Sequence, residues 1–193
     1  MPTLSKPPAS ASRATFLDHK AIVEDWVATY SPAQLNWKPT PKRWSVAECI
    51  QHLNRAAGIY VPVLEEVVPT LPPGGPPFDY GGLARFSLKI MGPDTTMKFP
   101  APPVFKPRSN ATPTASGFDP AAVIGEFAVF QDRFAGIMDA GEGRDLSAKK
   151  MGSPAMKLWR MPIGAWAEAM AAHQARHLQQ AQRVLAEPGF PSA

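Results

Sequence analysis

Apolar residues recur every three or four positions in four segments of the chain, and this spacing predicts four helices. The first segment is "ATFLDHKAIVEDWVATY", and the second runs from "WSVAECIQHL" to about Val68. Ser45 and Glu48 have the spacing of a capping box, in which each side chain accepts a hydrogen bond from the other residue's backbone N–H. They therefore mark the start of the second helix. Pro62 lies inside the same run and should kink the helix, because proline removes a backbone hydrogen bond.

The third and fourth predicted helices have equally clear starts. Asp119 is a suitable N-cap and Pro120 suits the first helical position, so the third helix begins there and ends near Gly141. The fourth begins at Pro162 and ends at "AEPGFP", where proline and glycine stop it. Because no run alternates convincingly between apolar and polar residues, no strand is predicted. The pattern predicts an all-α protein, a four-helix bundle.

Proline recurs throughout residues 69–118, so this segment cannot be one long helix. We predict a long crossover between helices two and three, with a short helix over "GGLARFSLKIM". Two interpretations remain open, because such a segment either shapes a site or only decorates the surface. The remaining boundaries follow: a flexible tail over residues 1–13, one domain over residues 14–187 with the crossover as an insertion, and a C-terminal tail over residues 188–193.

Composition narrows the class of protein. The chain has 193 residues, of which 45% are hydrophobic and 19% charged, which is typical of a single globular domain. The net charge of +4 comes without a basic stripe, so we expect no nucleic-acid partner. Cys49 is the only cysteine, which excludes an internal disulfide and fits a reducing compartment. No apolar run has the length of a signal peptide or membrane span, so we expect a soluble, cytoplasmic protein.

The candidate chemistry lies in three histidines. His173 and His177 are four residues apart on the fourth helix, so they share one face, and that face also carries Met170 and Val184. Buried imidazoles must be hydrogen-bonded or bound to a metal, and a bundle core is where facing helices build metal sites. His52 lies on an apolar flank of the second helix and is the candidate third ligand. Three neutral imidazoles suit zinc, nickel, iron or copper and leave positions for water or substrate.

Two familiar metal motifs do not fit. The zinc-protease pattern H-E-x-x-H needs glutamate after the first histidine, where this chain has Gln174. A di-iron carboxylate bundle needs Glu-x-x-His pairs, and neither histidine of the fourth helix has a glutamate three residues before it.

Other polar residues near this face have two interpretations. Glu48 precedes His52 by one turn, so it could orient the imidazole or act as a general base. We favour a structural role, because Glu48 already belongs to the capping box. Cys49 is expected to pack in the core rather than react, and His19 is expected at the surface or in the packing of the first helix.

"WSVAECIQHL" together with the distant "HQARHLQQAQRVL" resembles the DinB-like superfamily over residues 14–187. The resemblance implies an up-down-down-up four-helix bundle with helices two and four antiparallel. It also implies a divalent metal, such as nickel, zinc or iron, held by His52, His173 and His177, and often a homodimer.

Activities in that family include metal-dependent transfer of low-molecular-weight thiols and mycothiol-dependent isomerisation. The resulting hypothesis is a metal-dependent enzyme that transfers a thiol to, or hydrolyses, a small molecule, with Glu48 as a weak catalytic candidate. The alternative is a non-catalytic bundle that binds metal or ligand or serves in a stress response. Neither hypothesis involves nucleic acid or a membrane.

Overall fold

The computed structural model describes residues 10–97, 100–108, 111–153 and 158–192. Over these ranges the chain is mostly helical, with six α-helices and one small sheet. The elements, in chain order, are α1 (Arg13–Thr29), α2 (Pro32–Asn36), α3 (Val46–Val67), α4 (Gly81–Met91), α5 (Pro120–Ala140), β1 (Lys150–Gly152), β2 (Arg160–Pro162) and α6 (Ile163–Leu185). A 3₁₀ turn, Val68–Thr70, extends α3. The prediction of a mostly helical protein is confirmed.

The predicted helix starts are confirmed by their capping contacts. At α3, the Ser45 hydroxyl accepts from the Glu48 N–H, and the Glu48 carboxylate accepts from the Ser45 N–H. At α5, the Asp119 carboxylate accepts from two backbone N–H groups of the first turn. The α3 helix continues through Pro62 to Val67. Local side-chain chemistry therefore fixes where these long helices begin.

Two short features were not predicted. One is α2, which has its own capping box between Ser31 and Gln34. The other is an antiparallel pair of strands in which Met151 lies opposite Met161, and β2 leads directly into α6. The expectation of no strand was wrong, because three residues are too few to show an alternating pattern.

The crossover between α3 and α5 contains the short helix that the sequence predicts. This helix, α4, packs against α6. Ser87 of α4 is buried, and its hydroxyl accepts a hydrogen bond of 2.9 Å from the Trp159 indole N–H beside β2. The crossover is thus attached to the fourth long helix.

The four long helices enclose two apolar clusters. Helix α1 packs on α5, and α3 packs on both α5 and α6. In the first cluster the rings of Phe16 and Phe134 stack with centroids 4.6 Å apart. The second cluster includes Trp26, Ile50 and Leu178. The packing of α3 on α6 brings the two histidine-bearing helices together.

The residues near the C-terminus contact the connection between α1 and α3. Residues 1–9 of the predicted N-terminal tail, and residue 193, lie outside the described residues. Near the C-terminus, Phe190 packs edge-on against Tyr30 and Trp37. The Gln34 side chain donates a hydrogen bond of 2.9 Å to the Pro191 carbonyl. Among the helices in the described ranges, none has both the length and the apolar character needed to span a bilayer.

Candidate metal centre

The three histidines singled out by the sequence meet where α3 faces α6. One ring nitrogen from each of His52, His173 and His177 lies within 4.8 Å of the other two. The Nε2 atoms of His52 and His173 are 3.2 Å apart. The ring centroid of His177 lies 4.5 Å from that of His52 and 4.6 Å from that of His173. The cluster could therefore hold a metal ion.

The spacing of the His52 and His173 nitrogens fits a shared cation. Two imidazoles bound at the usual zinc–nitrogen distance of about 2.0–2.1 Å in tetrahedral geometry place their nitrogens about 3.3 Å apart. The His52–His173 separation of 3.2 Å matches that value. Three protein ligands leave at least one coordination position for water or substrate.

Hydrogen bonds orient two of the three rings. The Nδ1–H of His52 donates to the Phe105 carbonyl at 2.7 Å, and the Nδ1–H of His177 donates to the Gln180 amide oxygen at 2.9 Å. Each bond keeps the proton on Nδ1 and leaves Nε2 as the basic nitrogen of the ring, which is how partner groups select the ligating tautomer. The Nδ1 atom of His173 is buried and has no hydrogen-bond partner among the described residues.

The surroundings favour the neutral form of all three imidazoles, which is the form that binds metals. Burial lowers the pKa of His52, against the opposing effect of its bond to the Phe105 carbonyl. Burial lowers the pKa of His173 and of His177 well below the usual value, and repulsion from the neighbouring imidazoles and from Arg176 lowers both further.

Aromatic rings flank the cluster on two sides. The Trp44 ring lies 5.0 Å from His52 and stacks on His177 at 5.8 Å. The Phe105 ring meets His52 edge-on at 6.5 Å. Such apolar walls reduce the access of water and strengthen electrostatic interactions inside the site.

Two arginines donate hydrogen bonds to backbone carbonyls of the crossover. Arg55 of α3 donates to the Val104 carbonyl through Nε at 3.0 Å and Nη2 at 2.6 Å. Arg176 of α6 donates to the Ile90 carbonyl at 2.9 Å and to the Met97 carbonyl at 2.8 Å. Neither contact was predicted from the sequence. The sequence shows that Arg55 lies one turn after His52, but nothing in the sequence identifies the backbone carbonyl that Arg55 binds.

The structure places Glu48 at the start of α3 with both carboxylate oxygens engaged. One accepts from the Ser45 N–H at 2.9 Å, and the other pairs with the Lys38 ammonium at 3.2 Å. The side chains of Glu48 and Lys38 are each only 7% exposed. These contacts give Glu48 a structural role at the start of α3.

Two other polar residues near the cluster are packing residues. Cys49 is fully buried, and burial raises the pKa of its thiol, which disfavours the reactive thiolate. His19 is fully buried, and its Nδ1 lies 2.8 Å from the amide oxygen of Gln174. Gln174 thus joins α6 to α1.

A cavity of about 670 Å³ lies between α4, the following residues of the crossover and α6. Glu168 and Ala172 line it from α6, and Ile90 and Met97 line it from the crossover side. Arg176 donates hydrogen bonds to the carbonyls of Ile90 and Met97, two of the residues that line this cavity.

Comparison with known proteins agrees with this geometry. A family model described as the DinB superfamily matches residues 15–181, which include all three histidines. No similar protein emerged among curated proteins or among solved structures. Because the family match spans most of the chain and contains the whole cluster, the chain belongs to the DinB superfamily.

Proposed function

We propose that this protein is a metal-dependent enzyme in which His52, His173 and His177 hold a divalent nickel, zinc or iron ion. The observation that carries the proposal is the convergence of the three ring nitrogens within 4.8 Å. The hydrogen bonds at Nδ1 of His52 and His177 support it, because they present Nε2 of each ring to the cluster. Membership of the DinB superfamily supports the same ligand set.

A divalent ion on this triad would supply a Lewis acid that lowers the pKa of a water or thiol. The chain's own contribution is to hold three neutral imidazoles in place and to shield them with Trp44 and Phe105. We propose a small-molecule substrate and either thiol transfer or hydrolysis, the chemistry that an exposed coordination position suits. Glu48 serves as capping and ion-pairing residue in this scheme.

We further propose that α1, α3, α5 and α6 form the up-down-down-up bundle, and that the protein acts in the cytoplasm as a homodimer. The long crossover between α3 and α5 supports this topology, because two parallel neighbouring helices need a long connection.

Elemental analysis of protein purified without a histidine tag tests the metal. We expect close to one equivalent of a divalent metal per chain after loading. Less than a third of an equivalent, even after attempted reloading, would reject the proposal. Substituting His173 with Ala should abolish stoichiometric binding, whereas His19→Ala, at the one histidine outside the triad, should leave it intact.

A non-catalytic role for the metal is the alternative, since structural metals also use buried histidines. Turnover on a panel of low-molecular-weight thiols and electrophiles separates the two. If His173→Ala lowers the melting temperature by several degrees and wild-type protein turns over none of the panel, the metal is structural. Metal-dependent turnover that His173→Ala abolishes supports the enzyme.

A further inference from the structure

The crossover touches the candidate metal site through its main chain. Side chains from consecutive turns of α3 donate hydrogen bonds to two consecutive carbonyls of the crossover. The Phe105 carbonyl accepts from His52, and the Val104 carbonyl accepts twice from Arg55. Residues three apart on a helix share a face, so both donors act on the same short stretch of the crossover. Because a guanidinium that donates twice to one oxygen fixes its direction, Arg55 restricts where the next carbonyl can lie.

We propose that Arg55 is a positioning residue for the metal site, acting through the Val104–Phe105 peptide to hold the His52 ring in its metal-binding tautomer. Arg176 holds the backbone of the earlier part of the crossover, because it donates hydrogen bonds to the carbonyls of Ile90 and Met97. The crossover is therefore attached to both histidine-bearing helices. This inference rests on the proposed metal function.

Electrostatic repulsion and ring positioning predict opposite effects of removing Arg55 on the affinity for metal. A positive side chain one turn from His52 repels a bound cation, so electrostatics alone predict tighter metal binding in Arg55→Gln. The positioning role predicts weaker binding, because the His52 ring loses the partner that fixes its orientation. Removing a direct partner of a metal-binding histidine typically costs 10–100-fold in affinity, so a change one contact further out should cost about three- to tenfold.

The first experiment measures Zn²⁺ affinity by competition with a chromophoric chelator for wild type, Arg55→Gln and Arg55→Lys, all without a tag. Arg85→Gln is the matched control, because Arg85 is an exposed arginine of α4 whose ion-pair partner, Asp79, lies just before that helix. We expect a three- to tenfold loss in Arg55→Gln, a smaller loss in Arg55→Lys and none in Arg85→Gln. Equal or tighter binding in Arg55→Gln would overturn the inference.

The second experiment does not need the metal. Long-range ¹H–¹⁵N spectra report which ring nitrogen of each histidine carries the proton, and the chain has only four histidines to assign. In metal-free wild type above pH 8 we expect His52 to be protonated at Nδ1, and in Arg55→Gln to show a mixture of tautomers. An unchanged His52 pattern would contradict the positioning role.

The two experiments also separate this inference from the proposed function. If wild type binds no metal but Arg55→Gln still alters the His52 tautomer, the positioning role stands and the metal function fails. If wild type binds metal and Arg55→Gln changes neither affinity nor tautomer, the metal function stands and the inference fails. Should Arg55→Gln not fold, Arg55→Lys provides the same comparison with the charge retained.

Discussion

The Nδ1 atom of His19 on α1 lies 2.8 Å from the amide oxygen of Gln174 on α6, in the interior of the protein. Gln174 follows the first histidine of the α6 pair, at the position where a zinc protease has its catalytic glutamate. Here that position faces another helix, and its polar group is used to join α6 to α1.

Replacing Gln174 with Ala should therefore destabilise the fold without weakening metal binding. Loss of one partner of a buried hydrogen bond costs about 1–3 kcal/mol, and His19 Nδ1 loses this partner. Urea unfolding measures the change, with Gln179→Ala on the same helix as control. Unchanged stability together with lost metal binding would show that Gln174 serves the site instead.

Glu48→Gln should also reduce stability and leave metal affinity within about twofold. The substitution removes the charge that pairs with Lys38, and leaving one member of a buried ion pair alone typically costs about 3–5 kcal/mol. Adding Lys38→Met should recover much of the loss, because it removes the isolated charge. A variant that keeps its stability but loses turnover would instead identify Glu48 as a proton acceptor.

Gly164 and Gly136 should respond in opposite ways to substitution by Ala. A Cβ at Gly164, in the first turn of α6, would come within 2.7 Å of the Leu146 Cβ and closer still to the Tyr80 hydroxyl. Overpacking of this kind costs about 1–3 kcal/mol. A Cβ at Gly136 of α5 would meet no atom of the described residues within 4 Å beyond its chain neighbours and its own helix backbone, so Gly136→Ala should gain up to about 1 kcal/mol of helix propensity. Thermal unfolding of the two variants measures both signs.

Metal-free protein should lose stability below about pH 6.5, the ordinary pKa of histidine. Burial lowers the pKa values of His52, His173 and His177 in the folded protein. Below pH 6.5 the unfolded chain therefore binds more protons at these histidines than the folded chain does. The free energy of unfolding therefore falls with falling pH, by about 1.4 kcal/mol per pH unit for each such proton.

Urea unfolding in a chelator between pH 7.5 and pH 5 measures this slope. A variant with all three histidines changed to Gln is the control and should be flatter over the same range. Equal slopes in the two proteins would mean that the cluster contributes nothing to the acid sensitivity.

Much of the helical part could be predicted, because its signals are local. Ser45 with Glu48, and Asp119 with Pro120, fix helix starts through contacts within one turn. The capping box of Ser31 and Gln34 was equally available, but α2 is too short to show an apolar period, so it was missed. The strands β1 and β2 were also missed, because three residues are too few to show a period.

The candidate site could be predicted only in part, for the same reason. Helical periodicity placed His173 and His177 on one face and indicated His52 as their partner, and the structure brings all three together. Its supporting contacts could not be foreseen, because they join distant parts of the chain through backbone atoms. Phe105 lies far from His52 in sequence, and any residue there would offer the same carbonyl.

The hydrogen bond from His52 to a backbone carbonyl affects how the proline-rich crossover can vary. An oxygen contributed by the peptide itself does not depend on the chemical identity of the residue that carries it. The segment around Val104 and Phe105 can therefore keep these two hydrogen bonds when its side chains change, provided that the backbone keeps its path. Insertion or deletion of a single residue there would shift the register of the carbonyls and would disturb His52 more than most substitutions in the same stretch.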